Sequence, residues 1–230
     1  MKSNRPRKRN SDSSPRIVGV QDSGGSSDKI YNSCIDLLGR EGALGGALAD
    51  IGGGRGSFSL RVKGFFDTIS LLDYSMPDLN GINTKAANLN ELWPLPSDAF
   101  DVAVALEVIE HLENPRHFFR EIIRITKCGG LVIVSTPNQL SIFSKLCFLI
   151  RSQHQQFQDA CYPAHITAVL PKDFERISFE LGQPDFFFSY TSLTRIPGTK
   201  MNFQEIVPWA KGRPFSDNIL FAIRVRKPSS

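Results

Sequence analysis

Short apolar runs alternate with helical patterns over most of the chain. The first pattern is an amphipathic helix that begins at Asp28 and is expected to end near Gly39. Its apolar positions share one face, and they are Ile30, Cys34, Leu37 and Leu38. Four apolar runs of strand length follow: ALADI (47–51), TISLL (68–72), DVAVAL (101–106) and LVIVS (131–135). Because helical stretches separate these runs, the pattern predicts parallel strands joined by helical crossovers.

The segment between the third and fourth runs predicts a helix with well-marked ends. Asn114 suits the N-cap, Pro115 suits the first helical position, and Gly129-Gly130 is expected at the far end. The buried stripe of this helix is predicted to consist of Phe118, Ile122 and Ile125.

The last part of the chain predicts a helix from Pro171 to Leu181 and strands from Phe186 to Tyr190 and from Ile219 to Val225. An antiparallel pair of strands would close the sheet. The expected fold class is therefore α/β, with an open, doubly wound, mostly parallel sheet and an antiparallel strand near the C-terminus. Such sheets bind ligands at the carboxyl ends of their strands.

Charge is distributed unevenly along the chain. The formal net charge is +4, but basic residues are concentrated near the N-terminus. Residues 1–27 are rich in Ser, Gly, Pro, Arg and Lys and nearly lack apolar side chains, so we expect a disordered basic tail. Residues 28–230 would then form a single domain close to neutral. That balance gives no general case for nucleic-acid binding, although binding through a local basic patch stays open as an alternative.

Neither an export signal nor a membrane span is expected. No apolar segment follows the N-terminal charges, and the apolar run from Leu140 to Ile150 is about half as long as a bilayer span and contains Lys145. A cytoplasmic location is the simplest setting, and the oligomeric state stays open. The cysteines agree with a reducing compartment because they lie far apart without CxxC pairs, at Cys34, Cys128, Cys147 and Cys161.

The segment Asp50-Ile-Gly-Gly-Gly-Arg-Gly56 carries the strongest chemical signal. Glycine is needed where the backbone turns tightly and approaches a bulky ligand. Dinucleotide-binding folds use a similar turn with GxGxxG spacing, whereas the spacing here is GxGxG. A second acid, Asp73, ends the next strand, where a carboxylate can accept hydrogen bonds from both ribose hydroxyls. Asp50 could meet a cationic amino group, so these residues describe a pocket for a nucleoside with a charged amino-acid tail.

Four segments resemble successive motifs of class I S-adenosylmethionine-dependent methyltransferases: LADIGGGRGSF, LLDYS, FDVAVALEVIEHLENP and GGLVIVSTPN. The resemblance covers about residues 44–185. Within the family, the chain is most similar to the group that includes ubiquinone-pathway O-methyltransferases, bacterial sugar and natural-product methyltransferases, and small-RNA 2′-O-methyltransferases. The resemblance implies a Rossmann-like fold with a seven-stranded sheet and S-adenosylmethionine as cofactor, and it implies the acceptor only weakly.

The resemblance also implies roles for individual residues at the methionine and ribose ends of the cofactor. Asp50, Gly52, Gly54 and Gly56 would line the methionine moiety, and Asp73 would hold the ribose.

At the adenine end, Tyr74 and Ser75 would flank the ring. The family usually has an Asp that binds the adenine amino group, and Asn88 stands at the matching position. Its side-chain oxygen can still accept that hydrogen bond but carries no charge, which predicts a lower affinity. Leu89 would donate its backbone amide to the ring.

Glu107, Glu110 and His111 would share one helical face if their segment is helical. Two carboxylates and an imidazole suit Mg²⁺ or Mn²⁺ better than structural zinc. Relatives that use a metal have this arrangement and add a later His, for which His165 is the candidate. Relatives without a metal use the His as a base or for packing. Glu107, His111 and His165 are therefore candidate catalytic residues, and metal binding, base catalysis and a structural role all stay open.

Residues 138–170 lie where the family places its variable substrate segment. Their aromatic side chains would suit an apolar or flat acceptor, although core packing explains them as well: Phe143, Phe148, Phe157 and Tyr162.

Three functions stay open. The first is methyl transfer to an O or N atom of a small molecule such as a sugar, a quinone precursor or a secondary metabolite. The second is metal-assisted 2′-O-methylation of RNA, suggested by the Glu and His residues and the basic tail. The third is a cofactor-binding scaffold without catalysis, suggested by Asn88 in place of an acid.

Overall fold

The computed structural model describes residues 27–191, 207, 209–210 and 212–227. Residues 1–26 of the predicted basic tail therefore lie outside the described residues, and Ser27 is the first residue of a helix. The described strands are β1 (Ala47–Ile51), β2 (Thr68–Asp73), β3 (Asn83–Ala86), β4 (Phe100–Leu106), β5 (Thr126–Pro137), β6 (Phe186–Tyr190) and β7 (Asn218–Arg224). The described α-helices are α1 (Ser27–Arg40), α2 (Ser57–Val62), α3 (Pro115–Ile125), α4 (Ile142–Arg151) and α5 (Pro171–Glu180).

The strands form a seven-stranded sheet in the order β3-β2-β1-β4-β5-β7-β6. The first five strands in this order are parallel, and β7 runs antiparallel to both β5 and β6. The chain winds outward from β1 in one direction and then continues from β4 in the other, so a topological switch point lies between these two strands. This arrangement confirms the predicted doubly wound α/β fold, and it places the carboxyl ends of β1 and β4 where such folds bind ligands.

Helices cover both faces of the sheet with apolar side chains. The predicted faces of α1 and α3 are confirmed, because Ile30, Cys34, Leu37, Leu38, Phe118, Ile122 and Ile125 are all buried. The predicted cap of α3 is also confirmed, since the Asn114 side chain accepts a hydrogen bond from the His117 backbone N–H at 3.0 Å. Helix α1 continues one residue past Gly39.

Gly129 and Gly130 do not end α3, as the sequence had suggested. The helix stops at Ile125, and Thr126 is already extended and pairs with Phe100. The two glycines lie inside β5, where the register with β4 shifts between Phe100 and Val102. A Cβ on Gly130 would come within 2.8 Å of the Asp101 carbonyl oxygen, so glycine serves a β-bulge and a close strand approach.

The edge strand β3 was not predicted from the sequence, because its residues, NTKA, do not form an apolar run. It pairs with β2 in parallel, and Asp73 lies opposite Ala86. This pairing matters for the site, since it brings the chain after β3 beside the end of β2.

The predicted substrate segment, residues 138–170, contains α4 and a 3-10 turn at Asp159–Cys161. Phe148 and Tyr162 are 49% and 73% exposed, so core packing does not account for these two aromatic residues. Among the described helices, none has the length and apolar character needed to cross a membrane.

Candidate active site

The glycine turn connects β1 to α2 at the carboxyl edge of the sheet. Gly52, Gly54 and Gly56 have φ angles of 69°, 54° and 79°, a region that side chains with a Cβ rarely adopt. A Cβ on Gly52 would also lie 2.5 Å from a methyl carbon of buried Val108. Gly54 faces open space, since a Cβ at this position would have no atom within 4 Å. The turn therefore requires glycine and leaves room for a ligand beside its backbone.

Asp50 lies beneath this turn. It is buried, and the Ser59 hydroxyl donates a hydrogen bond to its Oδ2 at 2.6 Å. Burial raises the pKa of Asp50 to about 6, although the hydrogen bonds from Ser59 favour the ionised form. One carboxylate oxygen is thus used to hold the start of α2, and a contact between Asp50 and a cationic amino group stays a prediction.

Asp73 ends β2 and joins the glycine turn to the next loop. Its Oδ2 accepts a hydrogen bond from the Gly54 backbone N–H at 2.9 Å. Its Oδ1 accepts from the backbone N–H and the hydroxyl of Ser75, both at 2.9 Å. Tyr74 and Ser75 are exposed at the surface beside this carboxylate. The structure therefore brings the predicted ribose acid next to the predicted methionine-binding turn.

Asn88 and Leu89 follow β3 at the same edge of the sheet. The Ala87 backbone N–H donates to the Asp73 carbonyl oxygen at 2.8 Å, which ties this loop to the end of β2. Asn88 donates to Glu91 Oε1 at 2.8 Å and accepts from the Asn90 backbone N–H at 3.1 Å. Both predicted adenine-side residues are thus close in the fold to Asp73, and Asn88 already has local partners.

The segment with the second group of predicted residues is not an α-helix. A single 3-10 turn covers Ile109–His111, and Glu107 precedes it with a φ of 58°, which is unusual for a residue with a side chain. The helical spacing assumed for Glu107, Glu110 and His111 is therefore wrong. Their side chains point to different partners because the chain turns sharply after β4.

Glu107 is held by two neighbouring strands. Its backbone N–H donates to the Ser135 hydroxyl oxygen at 2.9 Å, and that hydroxyl donates to Glu107 Oε1 at 2.8 Å. The Asn218 side chain donates to Glu107 Oε2 at 2.7 Å. Burial nevertheless raises the pKa of Glu107 to about 7. Both carboxylate oxygens are occupied within the protein.

Glu110 is fully buried and only partly satisfied. Thr136 donates a hydrogen bond to its Oε2 at 3.2 Å, whereas Oε1 has no hydrogen-bond partner among the described residues. Burial, and then the nearby charge of Glu107, raise the pKa of Glu110 well above its usual range. A buried oxygen without a partner is costly, which marks this position as a place where chemistry or a ligand is expected.

His111 and His165 face each other with ring centroids 4.9 Å apart. His111 Nδ1 lies 2.7 Å from the Ala164 carbonyl oxygen, and His165 Nδ1 lies 2.5 Å from the Gln156 carbonyl oxygen. A carbonyl only accepts, so both Nδ1 atoms donate, and in the neutral form of either ring Nε2 is the acceptor. Burial, together with the neighbouring His165, lowers the pKa of His111. These effects outweigh the backbone hydrogen bonds with Ala164 and Glu107, which favour the protonated ring.

Ligand atoms of Glu110, His111 and His165 lie within 4.8 Å of one another. Glu107, the fourth residue of the predicted metal set, lies outside this cluster and is bonded to Ser135 and Asn218. The residues that form hydrogen bonds with Glu107, Glu110 and His111 were not predicted from the sequence. No local pattern marks them, because they lie on other strands and in a distant loop: Ser135, Thr136, Ala164 and Asn218.

The raised pKa of Glu107 predicts a pH-dependent stability. Its pKa is about 7 in the folded protein against an ordinary value of 4.5, so the folded state binds the proton more tightly. Its contribution to the free energy of unfolding therefore falls as pH rises from 5 to about 7, and is lowest above that. We expect this group to lower stability at pH 8 by about 2–3 kcal/mol relative to pH 5.

The Glu107→Gln variant removes this titration, and denaturant unfolding at the two pH values measures it. The free energy of unfolding should fall less between pH 5 and pH 8 in Glu107→Gln than in the parent protein. Asp50 and Glu110 titrate in the same direction and remain in both proteins. Exposed Glu113 supplies the matched control, Glu113→Gln, which should keep the parent pH dependence. Equal pH dependence in Glu107→Gln and the parent would contradict the assignment.

A family model for a methyltransferase domain matches residues 29–182, which is more than half of the chain. The chain therefore belongs to this methyltransferase family. The match, the relatives and the fold together identify it as a class I S-adenosylmethionine-dependent methyltransferase, as the sequence motifs had indicated.

Two curated relatives match the chain over short stretches. A Mycobacterium tuberculosis protein named a probable S-adenosylmethionine-dependent methyltransferase is 45% identical over 60 residues, 26% of this chain and 22% of that protein. Ubiquinone biosynthesis O-methyltransferase of Caulobacter sp. strain K31 is 32% identical over 115 residues, 45% of this chain and 46% of that protein. The chain thus matches less than half of the length of either relative.

Solved structures with the same fold are more distant in sequence. A SAM-dependent methyltransferase from Archaeoglobus fulgidus aligns with a TM-score of 0.57 at 19% identity, covering 84% of this chain and 94% of that one. A methyltransferase from Mesorhizobium loti aligns with a TM-score of 0.54 at 17% identity, covering 85% and 97%. These likenesses show the fold alone.

Proposed function

We propose that this methyltransferase transfers the methyl group of S-adenosylmethionine to an oxygen or nitrogen atom of a small-molecule acceptor. The observation that carries the proposal is the half-buried His111, whose Nδ1 donates to the Ala164 carbonyl and whose Nε2 is left as a proton acceptor. The lowered pKa of His111 keeps the ring neutral at neutral pH, as a base requires.

The glycine turn and Asp73 fit the cofactor. The open space at Gly54 lets a ligand pass close to the backbone, and Asp73 offers carboxylate oxygens to ribose hydroxyls. Ribose hydroxyls would compete with the hydrogen bonds that Gly54 and Ser75 now donate to Asp73. In the proposed arrangement Gly52, Gly54 and Gly56 line the methionine part. The adenine would lie against Tyr74, Ser75, Asn88 and Leu89.

When bound, the cofactor supplies an electrophilic methyl group on a sulfonium. The protein then has to align the acceptor atom in line with that methyl group and exclude water. A hydroxyl acceptor must also lose its proton, and in the proposed reaction His111 Nε2 would take it. His165, 4.9 Å away ring to ring, would share in positioning the acceptor, and Glu107 would fix the backbone turn between them and β4.

The acceptor is proposed to be a phenol or another small hydroxyl compound. The similarity to a ubiquinone biosynthesis O-methyltransferase supports phenolic quinone precursors as the first compounds to examine. The near-neutral charge of residues 28–230 also agrees with a small, uncharged acceptor. We also propose that residues 28–230 form a single catalytic domain, with a substrate segment at residues 138–170. The proposed location is the cytoplasm.

Transfer of a labelled methyl group from S-adenosylmethionine tests this function. The acceptor panel would contain catechols, other phenols, sugars and short RNAs. We expect incorporation into at least one phenol or sugar and none into RNA. Saturable cofactor binding without incorporation into any acceptor would instead support the catalytically inactive scaffold.

Metal-assisted 2′-O-methylation of RNA is the second candidate function. Glu110, His111 and His165 form a set of one carboxylate and two imidazoles, which suits a divalent metal such as Mn²⁺ or Mg²⁺. The Oε1 atom of buried Glu110 also has no hydrogen-bond partner among the described residues. The residues that would hold the metal are Glu110, His111 and His165. A bound metal would supply a positive charge beside a developing alkoxide.

Titration with Mn²⁺, followed by calorimetry and by electron paramagnetic resonance, tests the second candidate. If it is correct, the protein binds Mn²⁺ and Glu110→Gln weakens binding by about tenfold or more, because it removes the anionic ligand. The control Glu113→Gln leaves binding unchanged. Chelation should then stop transfer to RNA, whereas a protein that binds no Mn²⁺ and methylates phenols with a chelator present contradicts this function.

A further inference from the structure

Helix α4 exposes an apolar stripe to solvent. Ile142, Leu146, Leu149 and Ile150 follow the spacing i, i+4, i+7 and i+8, so they share one face of the helix. Leu149 and Ile150 are 80% and 72% exposed, and all four side chains are exposed. The only fully buried residue of the helix is Ser144. A helix in a globular domain normally buries such a stripe, and this one turns it outward.

A shallow recess adjoins the stripe. It has a volume of about 270 Å³, and Leu149 belongs to both features. Its lining combines the apolar side chains of Leu140, Phe148 and Leu149 with Gln139, Lys145 and His154. The recess is large enough for part of an aliphatic chain and extends the apolar surface beyond the helix.

The charged side chains of this segment are basic. Between residues 138 and 158 the sequence contains Lys145 and Arg151 and has neither Asp nor Glu. Both basic side chains are exposed. The sequence before residue 17 adds further basic residues against the single acid Asp12: Lys2, Arg5, Arg7, Lys8, Arg9 and Arg16. An exposed apolar stripe with positive charge on the same helix is complementary to a surface that is apolar inside and anionic outside.

We propose that the α4 stripe, defined as Ile142, Leu146, Leu149 and Ile150, docks on an anionic lipid bilayer. The helix has ten residues and is too short to span a bilayer, so it would lie in the interface with its stripe among the acyl chains. Lys145 and Arg151 would contact lipid phosphates. The stripe lies within the proposed substrate segment, residues 138–170, but it includes none of the residues assigned to cofactor binding or proton transfer. Docking is therefore measured without cofactor or acceptor, independently of the proposed reaction.

Co-sedimentation of the full chain with lipid vesicles tests the proposal. The vesicles would contain either phosphatidylcholine alone or phosphatidylcholine mixed with phosphatidylglycerol, with no cofactor or acceptor present. We expect binding to the mixed vesicles, weaker binding to pure phosphatidylcholine, and a loss of the difference at high salt. Leu149→Glu should lower the partition coefficient by about tenfold or more, because a charged group replaces a side chain that would enter the bilayer.

Leu60→Glu is the matched control. Leu60 is a leucine on helix α2 with 50% exposure, outside the stripe, and its variant should bind vesicles like the parent. Both variants keep the basic N-terminal residues, so the difference between them isolates the stripe. Thermal melts would show that both variants are folded.

Three results would overturn the proposal. They are the absence of vesicle binding by the parent protein, equal binding by Leu149→Glu and the parent, and a dimer in sedimentation velocity that Leu149→Glu dissociates while no vesicles bind. The second result would assign vesicle binding to the basic tail alone, and the third would place a second copy of the chain on the stripe. Methyl transfer is measured in a separate assay, so a failure of docking can be distinguished from a failure of the proposed function.

Discussion

Replacing His111 with alanine is expected to lower kcat for a hydroxyl acceptor by about 10²–10⁴-fold, the usual contribution of a positioned general base. The ring is fixed by the hydrogen bond from Nδ1 to the Ala164 carbonyl, which leaves Nε2 as the proton acceptor. Cofactor affinity should stay the same, since the cofactor is assigned to the glycine turn and Asp73. The expected signature is therefore a loss in kcat with unchanged binding of S-adenosylmethionine.

The pH dependence of the reaction supports the same assignment. Burial lowers the pKa of His111, so the base is neutral and active at pH 7 and above, and becomes protonated only on the acid side. We expect the rate of the parent protein to be constant above neutral pH and to fall with decreasing pH. This fall should disappear in the residual activity of His111→Ala.

His117→Ala is the control for the His111 variant. His117 bonds to the Glu91 carbonyl oxygen on the outer side of α3 and has no assigned part in the reaction. Its variant should keep the parent kcat. If His111→Ala also keeps the parent kcat on a hydroxyl acceptor, His111 is a packing residue.

Replacing Asp73 with alanine is expected to weaken binding of S-adenosylmethionine by about 10²–10⁴-fold. Two hydrogen bonds from ribose hydroxyls to a carboxylate are lost, each stabilising by about 1.5–3 kcal/mol when the acceptor is charged. The same substitution removes the acceptor of the Gly54 backbone N–H, so the glycine turn also becomes less well held. Calorimetric titration measures the dissociation constant directly.

Asp78→Ala is the matched control, because Asp78 is an exposed carboxylate in the loop after β2. It should bind the cofactor like the parent protein. Asp73→Asn is a second variant that keeps an oxygen acceptor and should fall between the parent and Asp73→Ala. Equal affinities for Asp73→Ala and Asp78→Ala would remove Asp73 from the cofactor site.

The sequence predicted the elements whose residues carry a local signal. Strand β1, the glycine turn and Asp73 are marked by an apolar run followed by glycines or an acid, and the structure brings them together as expected. The capping residues of α3 and its buried stripe are equally local. Such signals depend only on backbone conformation and on which face a side chain occupies.

Other features depend on contacts between distant segments and were beyond a local pattern. The left-handed backbone at Glu107 breaks the helical spacing that the sequence suggested, and Asn218 reaches Glu107 from the far end of the chain. Gly129 and Gly130 could be either a helix end or a bulge, and only the neighbouring strand β4 decides between them. Strand β3 has a polar sequence because it lies at the sheet edge.

A crystal structure of the protein with S-adenosylhomocysteine, the demethylated cofactor, tests the central claim most directly. We predict that the homocysteine part lies along Gly52, Gly54 and Gly56, that the ribose hydroxyls contact Asp73, and that the adenine lies beside Asn88 and Leu89. The sulfur should point toward His111. A ligand bound elsewhere, or ribose hydroxyls that do not contact Asp73, would contradict the assignment of this site.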